Sequence, residues 1–395
     1  NPVAVELAEV SLWLNTIYEG GFVPWFGTQL VNGNSLIGAR RQCYRVENLT
    51  TTSKGLRWYE NAPDCVPVGT KRMPKKQVYH FLLGDPGMCS YTDKVIKSLE
   101  PDNIKAMNAW NKKFNAPYTD EELVTLLRLS AAIDKLWEAQ IDLRCQVGEK
   151  TQDALSVYGN ADTALDSHTS IRQKDEIYSK LYKSEQMRNA GPYARLKFAM
   201  DYWCALWFWP IDKAELLPSR AEFFFDLSLI LEGTTTSVLV TDVTQDKKQP
   251  RGQLTLFPTE MQQLELDILK QYEDVEGEVD IPALRKNNKR LDLAARIAEQ
   301  NRFMHWELEF ADLFAERGGF DLIIGNPPWI KLEWNEQNVL SEKQPVFVIR
   351  NYNATQIAQH RHFPLADTDT RNLYLREYVQ MDGMKSYLNA YQNYS

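Results

Sequence analysis

Residues 318–329 read Gly-Gly-Phe-Asp-Leu-Ile-Ile-Gly-Asn-Pro-Pro-Trp. Phe320–Ile324 is a nearly continuous apolar run set between glycines, the pattern of a strand buried on both faces of a parallel sheet. Such a sheet needs helices on its faces, so this stretch points to an α/β chain. Ligands of parallel sheets bind just beyond the carboxyl ends of the strands, where Asn326-Pro327-Pro328-Trp329 falls. The two prolines fix the backbone and remove two N–H donors, leaving carbonyls free to face a ligand. Asn326 offers a side-chain acceptor, the Pro327 carbonyl a second one, and Trp329 a flat stacking face. Two acceptors aimed at one point suit an exocyclic amino group that donates two hydrogen bonds, while the aromatic ring grips the attached heterocycle. The plain alternative is a Pro-rich turn beside a buried strand.

The chain has 395 residues, with 53 acidic and 45 Lys/Arg side chains and a formal charge of −8. That length predicts two or three domains. Eleven Trp and 44% hydrophobic residues demand buried sites and exclude disorder across the whole chain. The best apolar stretch, Phe198 to Ile211, is too short to span a membrane and is broken by Asp201. The five cysteines (Cys43, Cys65, Cys89, Cys145, Cys204) are scattered, with no C-x-x-C pair, which reads as reduced thiols of a cytoplasmic protein rather than a disulfide frame or a zinc site. The acidic balance argues against a basic coat but permits a local basic groove, and residues 54–113 carry 11 Lys/Arg against 6 Asp/Glu.

Asn1-Pro2 places a capping residue and then Pro at a first helical position, and Val3, Leu7, Val10 and Leu14 recur at helical spacing. A helix is predicted from Pro2 to Tyr18, stopped by Gly20-Gly21. A chain that opens on a helix cap reads as part of something longer. Leu30–Leu36 is expected to be a short strand running into a polar turn. A second strand, Val78–Leu83, should end at Gly84-Asp85-Pro86-Gly87, which lacks the G-x-x-x-x-G-K pattern of a phosphate loop and reads as an ordinary turn. Residues 119–150 are strongly helical, and 170–210 predict two more helices separated near Gly191-Pro192. There Tyr202, Trp203, Trp207, Phe208 and Trp209 read as helix-packing core rather than as a platform for stacked bases. Residues 219–232, 255–274 and 288–301 continue the helical pattern, while Thr234–Gly252 and Asp274–Asp280 are polar and expected to be mobile.

The Asn326–Trp329 tetrapeptide after a hydrophobic F-D-x-I-x-G segment resembles the N-P-P-[WYF] signature of amino-directed DNA methyltransferases. Asn1–Ala8 is similar to the family segment N-P-x-A-V-E-L-A, and Gly33-Asn34-Ser35-Leu36 to its G-[ND]-S-L motif. His305-Trp306-Glu307-Leu308-Glu309-Phe310 resembles a segment these proteins carry before the Asn-Pro-Pro strand; His305 itself reads as structural. The matches occur in the family's order and fit the large methylases of type IIG restriction-modification enzymes and of phage-defence systems such as BREX and DISARM. The resemblance covers residues 1–45 and 300–350 well and the middle loosely.

The resemblance implies a Rossmann-like sheet that binds S-adenosyl-L-methionine, interrupted by a large mainly helical insertion. It divides the chain into residues 1–50 (first part of the methyltransferase core), 51–300 (insertion) and 301–395 (second part, with the motif). Asn326, Pro327, Pro328 and Trp329 would be catalytic, and Gly33 and Asn34 would lie near the cofactor adenine. The family's Gly-rich cofactor loop and ribose-binding acid are expected before residue 1. The reaction implied is methyl transfer to adenine N6 in double-stranded DNA, with the target base flipped out of the stack. In-line attack on a sulfonium methyl calls for positioning rather than for a metal. Further defence-system subunits are conceivable partners; a membrane is not. A methyltransferase acting on RNA or on a protein glutamine stays open, as does a helical interaction module retaining a degenerate methylase core. No P-D…(D/E)-x-K nuclease constellation is found.

Overall fold

A computed structural model describes residues 2–16, 24–50, 57–152, 170–233, 279–326 and 333–394. The predicted helix at 255–274 and the polar stretch Thr234–Gly252 lie outside the described residues, as does Asp274–Asp280 apart from its last two residues.

Helices dominate. In chain order they are α1 (Pro2–Thr16), α2 (Lys94–Leu99), α3 (Pro101–Phe114), α4 (Asp120–Thr151), α5 (Ile171–Leu181), α6 (Glu185–Ala190), α7 (Pro192–Ala205) and α8 (Arg220–Glu232). There follow α9 (Ile281–Asn287), α10 (Lys289–Asn301), α11 (Trp306–Glu309), α12 (Ala311–Arg317), α13 (Glu336–Ser341), α14 (Val346–Ile349), α15 (Ala354–His360), α16 (His362–Leu365) and α17 (Thr368–Asn389). Strands β1 (Gln42–Arg45), β2 (Asp64–Cys65) and β3 (Gln77–Tyr79) form one antiparallel sheet in the order β2-β1-β3. Cys43 faces Tyr79 and Gln42 faces Cys65.

The long helix α4 forms where its spacing predicts. Thr119 and Glu122 close a capping box at its start, each side chain accepting from the other's backbone N–H. Its buried stripe of Leu123, Leu126, Leu129, Ile133 and Trp137 faces α7 and α8. Between these helices and α10 lies the core, and the five aromatics from Tyr202 to Trp209 are all buried in it, as expected. The polar ends of Tyr202, Trp203 and Trp209 are satisfied as burial requires, while the Trp207 indole N–H is buried without a hydrogen-bond partner. Tyr202 donates to Asp226 at 2.8 Å, and Trp203 donates to the Leu83 carbonyl at 2.7 Å. Asp226 in turn pairs with Arg290 of α10 at 3.0 Å.

The structure departs from the sequence reading in four places. Residues 170–210 form three helices rather than two, because Ser184 caps a short additional one, accepting from the Met187 N–H. The strand expected at Val78–Leu83 ends at Tyr79 and gives way to a buried turn of 3₁₀ helix, His80–Leu82. Leu30–Leu36 forms no strand beyond a single parallel bridge between Asn34 and Phe303. Phe320–Ile324 is not a buried strand either. It pairs with none of the described strands, and Leu322, Ile323 and Ile324 are 72%, 75% and 86% exposed. An apolar run without strands on both edges has nothing to bury it. Helix α1 shares this property: Val3, Leu7, Val10 and Leu14 are exposed, and none of its residues is buried. The fold observed is thus a mostly helical α/β arrangement with a small sheet. Among the described residues no helix is long and apolar enough to cross a membrane.

Candidate active site

Helix α12 ends at Gly318, whose φ of +77° suits the left-handed cap and whose N–H returns to the Phe314 carbonyl at 3.0 Å. Gly319 follows with φ +140°, a backbone state that side chains rarely adopt. This double-glycine turn aims Phe320 into a cage of three edge-on rings, Trp306, Phe310 and Phe314, at 5.2–5.9 Å between centroids. Edge-to-face packing of this kind holds the base of the segment in place. Beyond Phe320 the chain runs outward to Asn326, which is exposed. Pro327, Pro328 and Trp329 lie outside the described residues.

The Gly33–Leu36 motif packs against the chain just after α10. The Asn34 N–H donates to the Arg302 carbonyl at 2.6 Å, and the Met304 N–H donates to the Ile37 carbonyl at 2.8 Å. The Asn34 side chain accepts from the Leu36 N–H at 3.2 Å, an Asx turn that shapes its own loop. Glycine is required at 33 by packing, since a Cβ there would lie 2.7 Å from the Met304 Cβ. At Gly38 the demand is stricter, because a Cβ would meet the Met304 carbonyl oxygen at 1.8 Å. Ser35 completes the junction, its carbonyl accepting from the Trp306 indole at 3.0 Å. One line of contacts therefore joins the Gly33–Leu36 loop, through Trp306, to Phe320 at the base of the Asn-Pro-Pro-Trp segment.

His305 is fully buried behind this junction and is structural in its bonding. Its Nδ1 accepts from the Ala39 N–H at 3.0 Å and its Nε2 faces Asp201 at 3.0 Å, which fits a neutral ring protonated on Nε2. Asp201 also receives Lys197 at 2.9 Å. Burial alone pushes the Asp201 carboxyl up, but Lys197 and His305 outweigh it and hold it below the ordinary carboxylate range.

Beside these groups opens a cavity of about 640 Å³, which the sequence did not reveal. Tyr178 and Tyr182 stack in its wall at 5.4 Å, and Tyr193 donates to Glu309 at 2.6 Å. Asn32, next to the Gly33–Leu36 motif, also lines it. The Asn32 Oδ1 accepts from Arg302 at 3.3 Å, while its Nδ2 is buried with no hydrogen-bond partner. A buried amide donor in a cavity wall needs an acceptor, which an ordered water or a bound molecule would supply. No sequence signal marks this cavity, because Tyr178 and Tyr182 at the end of α5, Tyr193 of α7 and Asn32 are united only by tertiary packing.

No curated protein and no solved structure matches the chain. The family model of the Eco57I restriction-modification methylases matches residues 1–363. That single match takes in α1, the Gly33–Leu36 loop, the Trp306 junction and the Asn326–Trp329 tetrapeptide, so the chain belongs to the Eco57I restriction-modification methylase family.

Proposed function

We propose that this restriction-modification methylase transfers a methyl group from S-adenosyl-L-methionine to N6 of adenine in double-stranded DNA. The observation that carries the reading is the Asn326-Pro327-Pro328-Trp329 sequence at the end of a segment keyed by Phe320 into the Trp306 junction. The adenine amino group is a poor nucleophile, since its lone pair is delocalised into the ring. Hydrogen bonds from that group to the Asn326 side chain and the Pro327 carbonyl favour a pyramidal nitrogen and stabilise the positive charge that develops in attack. Trp329 holds the flipped ring by stacking. The cofactor supplies an electrophilic sulfonium methyl.

Gly33 and Asn34 are the residues read as holding the adenine end of the cofactor. Two amides support the fit: Asn32 Nδ2 lacks a partner, and Asn34 spends only its oxygen on its own turn. Both leave a donor for the acceptor nitrogens of a purine. The exposed apolar sides of α1 and of Leu322–Ile324 are read as surfaces that a Rossmann-like sheet covers, since contiguous apolar patches of this kind seldom stay in water. On this reading residues 1–50 and 301–395 are the two parts of the methyltransferase core and 51–300 the insertion. A cytoplasmic role in restriction-modification or phage defence, with or without further subunits, follows from the same assignment.

Incubation of DNA with radiolabelled cofactor, followed by mass spectrometry of the digested nucleosides, tests the proposal. N6-methyladenine is the expected product. A label on cytosine, or on RNA or protein instead of DNA, overturns the adenine assignment.

A further inference from the structure

Residues 343–366 contain no Asp or Glu, although the chain as a whole carries 53 acids against 45 Lys/Arg. This stretch lies beyond the Asn-Pro-Pro-Trp motif in sequence and folds into α14, α15 and α16. Its aromatic side chains form a ladder. Buried Phe347 meets Tyr352 edge-on at 5.3 Å, Tyr352 stacks on His360 at 5.4 Å, and His360 stacks on Phe363 at 6.5 Å. The turn that brings Tyr352 back onto Phe347 is made by Asn351, whose φ of +48° is a conformation Asn tolerates better than most residues. At its outer end the His362 ring also leans on Phe363 at 4.0 Å, yet His360 is exposed and Phe363 stays 63% exposed.

The framework beneath is cross-braced by polar contacts. Gln337 donates to the Phe347 carbonyl at 2.8 Å, Asn353 and Gln356 close a capping box on α15, and Arg361 pairs with Glu336 at 3.2 Å. The charges divide into spent and free. Arg361 is neutralised by Glu336. Arg350 is exposed and makes no ion pair among the described residues. An exposed ladder of rings in a run that carries no acid of its own and includes an unpaired guanidinium is the chemistry that grips a polyanion carrying flat rings.

We propose that this surface contacts DNA, with Arg350 on a backbone phosphate and Phe363 under an unstacked base. The proposal rests on the reading of the chain as a DNA-modifying enzyme and adds where outside the motif the nucleic acid lies. Bases inside an intact duplex cannot reach a ring on the protein surface, so the surface favours single strands or locally opened DNA.

The test is fluorescence anisotropy on the full chain with two labelled probes, a mixed-sequence single strand and the same sequence as a duplex. Arg350→Glu should weaken both by about tenfold and lower the salt dependence by about one released counterion. Phe363→Ala should weaken the single strand by about tenfold and leave the perfect duplex nearly unchanged. Both positions are exposed, and unaltered circular dichroism and melting will establish that the variants fold. Wild-type affinity and salt dependence in both folded variants overturn the proposal, as does binding of the surface to anionic vesicles in place of DNA. Methyl transfer is measured separately. A chain that methylates DNA yet is indifferent to both substitutions refutes the surface alone, and one that binds DNA through it without methylating refutes the enzymatic reading alone.

Discussion

Trp306 donates its indole N–H to the Ser35 carbonyl at 3.0 Å while its ring stands edge-on to Phe320 at 5.9 Å. One side chain thus holds together two motifs lying far apart in sequence. Trp306→Phe keeps the ring but hands the exposed Ser35 carbonyl to water, so the lost hydrogen bond costs no more than about 1 kcal/mol. Trp306→Ala also empties the cage around Phe320. It is expected to lower the turnover rate more than it lowers the melting temperature, because the motif segment loses its base. Urea unfolding and methylation rates of the two variants separate these effects. Equal losses of activity in both would show that the ring does not position the segment.

On the proposed mechanism the roles within the motif divide. Asn326→Ala removes an acceptor that matters most as charge develops, and loss of one such contact costs roughly 10²–10³ in rate. Trp329→Ala removes stacking worth about 1–3 kcal/mol per base and should chiefly weaken capture of the flipped adenine. A mismatched target, already easy to open, should restore DNA binding in the Trp variant but not turnover in the Asn variant. Near-normal turnover of Asn326→Ala on a hemimethylated duplex would return the motif to the status of a Pro-rich turn.

What could be read in the sequence was local, and what could not was tertiary. Helix α4 was legible because its capping box and buried stripe sit within one segment. The Tyr202–Trp209 group declared its burial through sheer apolar bulk. Phe320–Ile324 shows the limit of the same logic, for an apolar run states a demand for cover without naming what covers it. Leu30–Leu36 failed as a strand because the partners of Asn34 are Arg302 and Phe303, supplied from across the chain. The cavity beside Lys197 was invisible for a related reason. Its orphaned Asn32 amide and its stacked tyrosines gain meaning only once α5, α7 and α10 have packed.

From its bonding, His305 is expected to hold structure rather than to take part in chemistry. His305→Ala leaves the Ala39 N–H buried without an acceptor and opens a hole beside Asp201. An orphaned buried donor plus a cavity predicts a loss of about 3 kcal/mol or more. Thermal unfolding should record that loss, while turnover per folded molecule stays the same. A pH–rate profile that lost an ionisation in His305→Gln would instead place the imidazole in the reaction.

The pH dependence of stability has a testable sign at Asp85. This buried carboxyl accepts from the Gly87 N–H at 2.7 Å and from Gln392 at 2.9 Å, yet burial pushes it from 3.8 up to about 6. A carboxyl raised on folding binds its proton more tightly in the folded chain than in the unfolded one. Its contribution is therefore fully present below about pH 3.8 and is lost as the pH rises through about 6. The difference between those values is worth about 3 kcal/mol. His80 acts in the opposite direction: burial lowers it from 6.5 to about 3, so its contribution is lost as the pH falls from 6.5 toward 3. Comparing wild type with Asp85→Asn cancels the His80 effect and isolates the carboxyl. Between about pH 4 and 7 the stability of wild type relative to the variant should fall by up to about 3 kcal/mol. Urea unfolding across that range measures it. A difference that stayed flat with pH would mean that Asp85 ionises in the folded chain as readily as in water.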